Sequence, residues 1–224
     1  MGPGIIEVFL QYWPLFLNGL IGTLKYAFIA VLFGSLLGVL VAIVNMSSNK
    51  IVSTIGSVYV NVLRGTPLLV QMYIAYFFIP MAFPALSFLS KEQCVILSLI
   101  LNSSAYVSEI FRSGINAVDK GQTEAARSLG MSAKNTMMRI ILPQAVKNIL
   151  PALANELVTM VKESSICSIL GMAELIWGAK TVANTSLKTL SPYVLAAIVY
   201  FLINFPASKA IEAVERRMRR ADRV

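Results

Sequence analysis

Six ionisable side chains, Lys25, Arg64, Glu109, Glu156, Lys162 and Glu163, stand inside or at the ends of long apolar runs. An unpaired charge is costly there. A charge kept in such a place marks a functional site by default and faces a protein interior or a watery cavity. Glu156 is foremost among them. It follows Pro151 by five residues, Asn155 precedes it, and Thr159 lies one helical turn beyond Asn155. Its carboxylate can take a cation, or it can be closed off by pairing with Lys162 or Arg64. Arg64 precedes a Gly65-Thr66-Pro67 break, and its planar fork suits a carboxylate on a ligand or on the protein itself. Glu109 and Arg112 are spaced i, i+3 and can satisfy each other, while Lys25 can snorkel its ammonium to an interface. The chemistry on offer is recognition of charge rather than bond making. The chain has no histidine, the commonest general base and metal ligand. Cys94 and Cys167 lack metal-ligand spacing and read as packing thiols. No nucleophile stands beside a base.

The elements that must hold these residues are helices in lipid. Of the 224 residues, 57% are hydrophobic and only 13% charged, against about a quarter charged in an ordinary soluble domain. A spanning helix needs about 20 mostly apolar residues, and five stretches qualify, near 17–44, 55–79, 92–115, 145–161 and 192–210. Gly34 and Gly38 in the first have the spacing that lets two helices approach closely. The third and fourth are weaker signals, carrying Asn102, Ser103, Ser104, Ser108 and Glu109, then Asn155, Glu156, Thr159, Lys162 and Glu163. Helices this polar are expected to face the protein interior or a cavity.

The net charge of +8 does not form a nucleic-acid footprint, because it is spread along the chain and not gathered on a soluble module. It sorts by connection instead. Lys50, then Arg112, Lys120, Arg127, Lys134, Arg139 and Lys147, then Lys209, Arg216, Arg217, Arg219, Arg220 and Arg223 fall on one side if five helices alternate. Lys91, Lys180 and Lys188, with Glu174, fall on the other. The basic side is cytoplasmic, which puts the N-terminus outside, the C-terminus in the cytoplasm, and the basic end against anionic lipid headgroups. Residues 1–13 show no basic n-region, so no cleaved signal peptide is expected.

The connection from Gly121 to Ala145 reads GQTEAARSLGMSAKNTMMRIILPQA. It predicts a short helix, a break and a second helix. Glu124 is placed in the first turn, where a negative charge suits the helix dipole. Gly130 is a natural left-handed residue after the helix end, and Ser132 can cap the next helix. Pro143 marks the turn into the fourth span. Ala125, Ala126 and Leu129 form a small apolar face at helical spacing that a partner's groove could grip.

These residues resemble the EAA signature of binding-protein-dependent ABC import permeases: Glu124-Ala125-Ala126, Gly130, Ile140 and Leu142-Pro143 stand at that pattern's intervals. A second similarity, to permeases for polar amino acids, lies in Arg64-Gly65-Thr66-Pro67-Leu68-Leu69-Val70-Gln71, in Ala105-Tyr106 through Glu109, Arg112 and Gly114-Ile115 to Gly121-Gln122, and in Lys162-Glu163-Ser164-Ser165, where the family often has Lys-Asp-Thr-Ser. The likeness covers essentially the whole chain. It implies an all-α transmembrane fold, the five-helix type I ABC importer permease fold, as a single permease domain over 1–224 with a coupling-helix loop at about 119–143. It implies residence in the bacterial plasma (inner) membrane as a multi-pass protein. It also implies two cytoplasmic ABC ATPase subunits that hold ATP and Mg, a second permease copy (identical or a paired homologue), an extracytoplasmic amino-acid-binding protein, and no nucleic acid. The chain itself has no cofactor and no G-x-x-x-x-G-K-S/T phosphate loop, so it is a transport subunit and not the enzyme. Glu124, Ala125, Ala126, Leu129 and Gly130 would then meet the ATPase.

An amino acid is a zwitterion, and its passage requires acceptors for the ammonium and donors for the carboxylate. The candidates are Glu156, Asn155, Arg64, Thr159, Lys162 and Glu109. An Asn-Glu pair at the place of Asn155-Glu156 occurs in the family's permeases for basic amino acids, so arginine, lysine or histidine is expected, with glutamine next. The competing class is an ion-coupled secondary transporter of small polar solutes, which predicts inverted repeats and paired broken helices; no repeat is found in the sequence.

Overall fold

A computed structural model of the chain describes residues 5–83, 86 and 88–221, with side chains as far as Met218. The residues before Ile5, the side chains of Arg219 and Arg220, and Arg223 of the basic tail lie outside this set. Among the described residues the architecture is all helical. Lipid cannot hydrogen-bond to a peptide group, so a chain this apolar satisfies its backbone within helices.

Helix α1 runs Ile5–Asn45, 41 residues, and so begins a dozen residues earlier than the 17–44 expectation. Gln11 and Asn18 do not interrupt it, and Pro14 lies inside it. At about 1.5 Å per residue it is roughly 60 Å long, twice the hydrocarbon thickness, and must tilt or protrude. Its buried side is largely Gly and Ala: Gly19, Gly22, Ala27, Ala30, Gly34, Gly38 and Ala42. Gly34 and Gly38 spend their closeness inside the chain, against Ser103 and Val107 of α5 (Lys91–Asn116). The two helices run parallel, with Lys25 beside Glu92 at one level and Gly38 beside Val107 at another. Helix α5 opens on a reciprocal cap between Ser90 and Gln93.

The 55–79 stretch is not one straight span. It is α2 (Lys50–Gly65), then α3 (Leu68–Tyr73), a π-helical turn (Ile74–Phe78) and α4 (Ile79–Ala82), with a bend of 104° at Thr66-Pro67. Thr66 is extended, as a residue before proline prefers to be. The Gln71 amide fills the gap by donating to Leu63 O at 2.8 Å and Thr66 O at 3.1 Å. After α5 come α6 (Lys120–Ser128), α7 (Ala133–Thr136), a second π turn (Met137–Ile141) and α8 (Leu142–Glu163).

Here the structure corrects the sequence reading. The chain does not turn at Pro143; a helical rod passes through it. Both π turns are followed at once by a residue and a proline, Ile79-Pro80 and Leu142-Pro143. A proline inside a helix removes one donor and pushes away the carbonyl four residues back, and the widened turn absorbs both effects.

The stretch read as a connection bearing Glu174, Lys180 and Lys188 also holds a helix, α9 (Leu175–Ser186), set at 46° to the preceding rod. It packs Ala179 and Val182 against Val8 and Phe16 of α1 and against Leu195 and Ala196 of α10 (Ser191–Ala221). Three helices, Ile5–Asn45, Lys91–Asn116 and Ser191–Met218, are long and apolar enough to cross a membrane alone, and the two bent pairs bring the number to as many as five.

Candidate functional site

Glu156 sits on α8 with 8% of its surface exposed, among the few buried polar residues. One described donor reaches it: the Ser103 hydroxyl, from α5, donates to Oε1 at 3.1 Å. Among the described residues no ion pair closes it off. Lys162 is exposed, and Arg64 is engaged elsewhere. One residue before Ser103, Asn102 is 3% exposed and donates to Gln71 Oε1 at 3.0 Å. No described donor meets its own Oδ1. Two neighbouring polar residues of α5 thus reach in different directions, Asn102 to the bend between α2 and α3 and Ser103 to the middle of α8.

Arg64 and Glu109 pair with each other, Arg64 Nη1 to Glu109 Oε2 at 3.3 Å. Arg112 grips the same carboxylate with two bonds of 2.8 Å. Arg64 also lies over the Tyr106 ring, 5.3 Å from its centre. Arg64, Tyr106 and Glu109 line a cavity of about 600 Å³ whose opposite wall is Lys147, Asn148, Pro151, Ala152 and Asn155 of α8 and Ile211, Glu215 and Met218 of α10. Of the residues singled out from sequence, the cavity therefore gathers Arg64, Glu109 and Asn155. Glu156 points the other way, into the core. Thr159 is half-buried on α8 outside this lining. Lys25 pairs with Glu92 at 3.4 Å.

Sequence reasoning noted Asn102 and Ser103 only as polar residues in a weak span, and quoted Gln71 only within a motif. Nothing in linear spacing tells that Ser103 faces Glu156 across 53 residues. By sequence, Glu174 falls in a connection between spans. It is fully buried and caps α9, accepting from Ile176 N at 2.8 Å, Trp177 N at 2.6 Å and the Tyr200 hydroxyl at 3.1 Å.

The loop after α5 has the geometry of a presented knob. Asp119 caps α6, accepting from Gly121 N at 2.7 Å; Glu124, expected in the first turn, stands beyond it, because the helix already begins at Lys120. Gly130 has φ +83°. Gly130 N donates to Arg127 O at 3.0 Å and Met131 N to Ala126 O at 3.1 Å, which is a Schellman end. Arg127 closes it by donating to Met131 O at 2.6 Å, and Ser132 Oγ accepts from Asn135 N at 3.2 Å to start α7. The expected three-residue apolar face divides. Ala126 is buried toward the body of the chain, while Ala125 is exposed and Leu129 is 85% exposed. Their spacing explains this, because neighbouring positions 125 and 126 are about 100° apart around a helix whereas 125 and 129 share a face.

Residues 30–220 match the family model of the binding-protein-dependent transport system inner membrane component. A Rickettsia felis chain carrying the name glutamine transport system permease protein GlnP is 42% identical over 217 residues, covering 96% of this chain and 99% of that one. The arginine transport system permease protein ArtQ of Bacillus subtilis is 38% identical over 210 residues, covering 93% and 94%. A crystal structure of an amino acid ABC transporter with histidines contains a chain 44% identical, with a TM-score of 0.88, covering 97% of this chain and 100% of that chain.

Proposed function

The chain belongs to the family of binding-protein-dependent transport system inner membrane components, and from that premise we propose that it is the permease subunit through which a basic or polar amino acid enters the cell. The family is one of membrane transport components and not of enzymes. We propose five spans in a single domain, with the N-terminus outside and the C-terminus in the cytoplasm, paired with a second permease copy, two ATPase subunits and an extracytoplasmic binding protein. ATP is spent on the partner, and the work reaches this chain through Glu124, Ala125, Leu129 and Gly130 on the exposed side of α6, with Ala126 tying that helix to the body. The site then alternates between the two sides of the membrane.

The observation that carries the substrate reading is Glu156, a buried carboxylate with a single hydroxyl donor and no described cation. A guanidinium about 4 Å from it contributes roughly 4 kcal/mol at an effective dielectric near 20, before desolvation, and a substrate carboxylate in the same place is opposed by as much. Desolvation reduces both figures but not the difference in sign. Arginine, lysine or histidine is therefore favoured over glutamate, with glutamine between. The relatives support an amino acid: their names specify glutamine and arginine. Asn155, Thr159 and Lys162 continue along α8, and Arg64 with Glu109 lines the neighbouring cavity, where a zwitterion's charges can be met in passing. The test compares Glu156→Gln with wild type in the complete transporter, with arginine and glutamine uptake measured side by side. Arginine uptake is expected to fall at least tenfold while glutamine persists; a mutant that moves arginine like wild type defeats the reading.

A further inference from the structure

Serines inside helices commonly return the hydroxyl proton to their own backbone. On α5, Ser98 and Ser104 do so, to Val95 O at 2.8 Å and Leu101 O at 2.7 Å. Ser103 is fully buried between them and behaves differently, donating across to Glu156. The space for that comes from α1. A Cβ built on Gly34 would stand 2.8 Å from Ser103 Cβ and 2.9 Å from Ser103 Oγ, closer than packed atoms approach. Gly34 lies in regular helix, so no backbone twist demands glycine there. What demands it is the room taken by Ser103. One turn along, Gly38 makes the same close approach to Val107, 2.7 Å from a built Cβ, and to the Ser104 backbone carbonyl at 2.9 Å, but not to the Ser103 hydroxyl.

We infer that Gly34 and Ser103 are positioning residues for Glu156 and set the preference for cationic over neutral amino acids. Gly34 leaves the space, Ser103 holds Oε1, and the carboxylate keeps one orientation with Oε2 free for the incoming cation. A preorganised acceptor binds without the cost of ordering itself. This rests on the reading of Glu156 as the substrate's cation acceptor. Gly34 cannot touch a ligand through a side chain, and its influence passes through Ser103 alone.

The experiment measures binding of arginine and of glutamine to the purified permease–ATPase complex, without binding protein, for wild type, Ser103→Ala, Gly34→Ala, Gly38→Ala and Glu156→Gln. Loss of one hydrogen bond to a charged group predicts that Ser103→Ala lowers the arginine-to-glutamine affinity ratio about tenfold, with glutamine binding within about twofold of wild type. Gly34→Ala is expected to lower the ratio similarly. Gly38→Ala, which crowds the same helix pair, is expected to keep the wild-type ratio, as a merely structural role at Gly34 would also do. If Glu156→Gln loses the preference while Ser103→Ala and Gly34→Ala keep it, the positioning role is overturned and the reading of Glu156 stands. If Gly34→Ala and Gly38→Ala alter the ratio equally, Gly34 is only a packing residue and the inference fails. If Glu156→Gln itself keeps the preference, the reading beneath the inference falls, and the inference with it.

Discussion

Two buried glutamates divide the labour in this molecule, and the number of their donors tells them apart. Among the described residues, Glu174 is satisfied by two backbone N–H groups and the Tyr200 hydroxyl, and Glu156 has Ser103 alone. A carboxylate that completes its bonds within the chain is architecture, and one that does not is available. Glu174→Ala removes a helix cap and strands a tyrosine hydroxyl, a loss of about 2–4 kcal/mol. The expected outcome is a thermal midpoint several degrees lower for the purified protein in detergent, while Glu156→Gln melts close to wild type. Equal shifts for the two variants contradict the distinction. At this scale the sequence was informative about Glu156, whose apolar surroundings made it conspicuous, and silent about Glu174. The glutamate begins an Ile176, Ala179, Val182 helical pattern just where the basic residues Lys180 and Lys188 suggested a loop. Ion pairs divided likewise: Glu109 with Arg112 is local and legible at i, i+3, whereas Arg64 reaching Glu109 depends on the packing of α2 against α5.

Short elements with caps read well; interrupted ones do not. The left-handed Gly130 and the Ser132 cap are in place because each is the local solution to a helix end. The face of α6 was misread only in its breadth, since burial of Ala126 leaves Ala125 and Leu129 as the part that projects. Gly130→Arg puts a side chain on a backbone at φ +83°, at a cost of about 1 kcal/mol or more, and inserts a charge beside Leu129. Glu124→Lys reverses the charge on the same helix. Both variants are expected to lose the ATPase on co-purification while the membrane portion stays monodisperse. Wild-type assembly with normal ATP-driven uptake in both variants contradicts the docking role. The two π turns were invisible beforehand because a proline in an apolar run signals a break and a bulge in the same letters. Only packing on both sides decides which one forms.

At the scale of the whole molecule, the chain displays many large apolar side chains: Leu10, Leu36, Phe28, Phe201 and others are more than half exposed. Lipid and partner helices are the only solvents for such a surface. The all-helical class and the long apolar runs were legible because they follow from composition and run length, and the break at Gly65-Thr66-Pro67 was legible as well; its 104° angle and the 46° bend before α9 were not, because they depend on contacts between distant helices. Having no phosphate-cradling loop, the chain reconstituted alone in proteoliposomes is expected to show no ATP-dependent uptake, and activity is expected to return with the ATPase and binding protein. Uptake by the lone chain removes the subunit assignment.

The π turn at Met137–Ile141 also has a bearing on phase. It lies between the exposed knob at Leu129 and the buried carboxylate at Glu156, and a π turn holds about one residue more than an α turn. The widened turn absorbs that surplus residue, so the helix beyond it keeps the phase it would have without it. Deleting one residue there would leave that phase in place, whereas forcing all five residues to run as plain α-helix would turn α8 by about 100° and carry Glu156 off Ser103. The helix would remain, equally long and equally apolar, with its dial at the wrong hour.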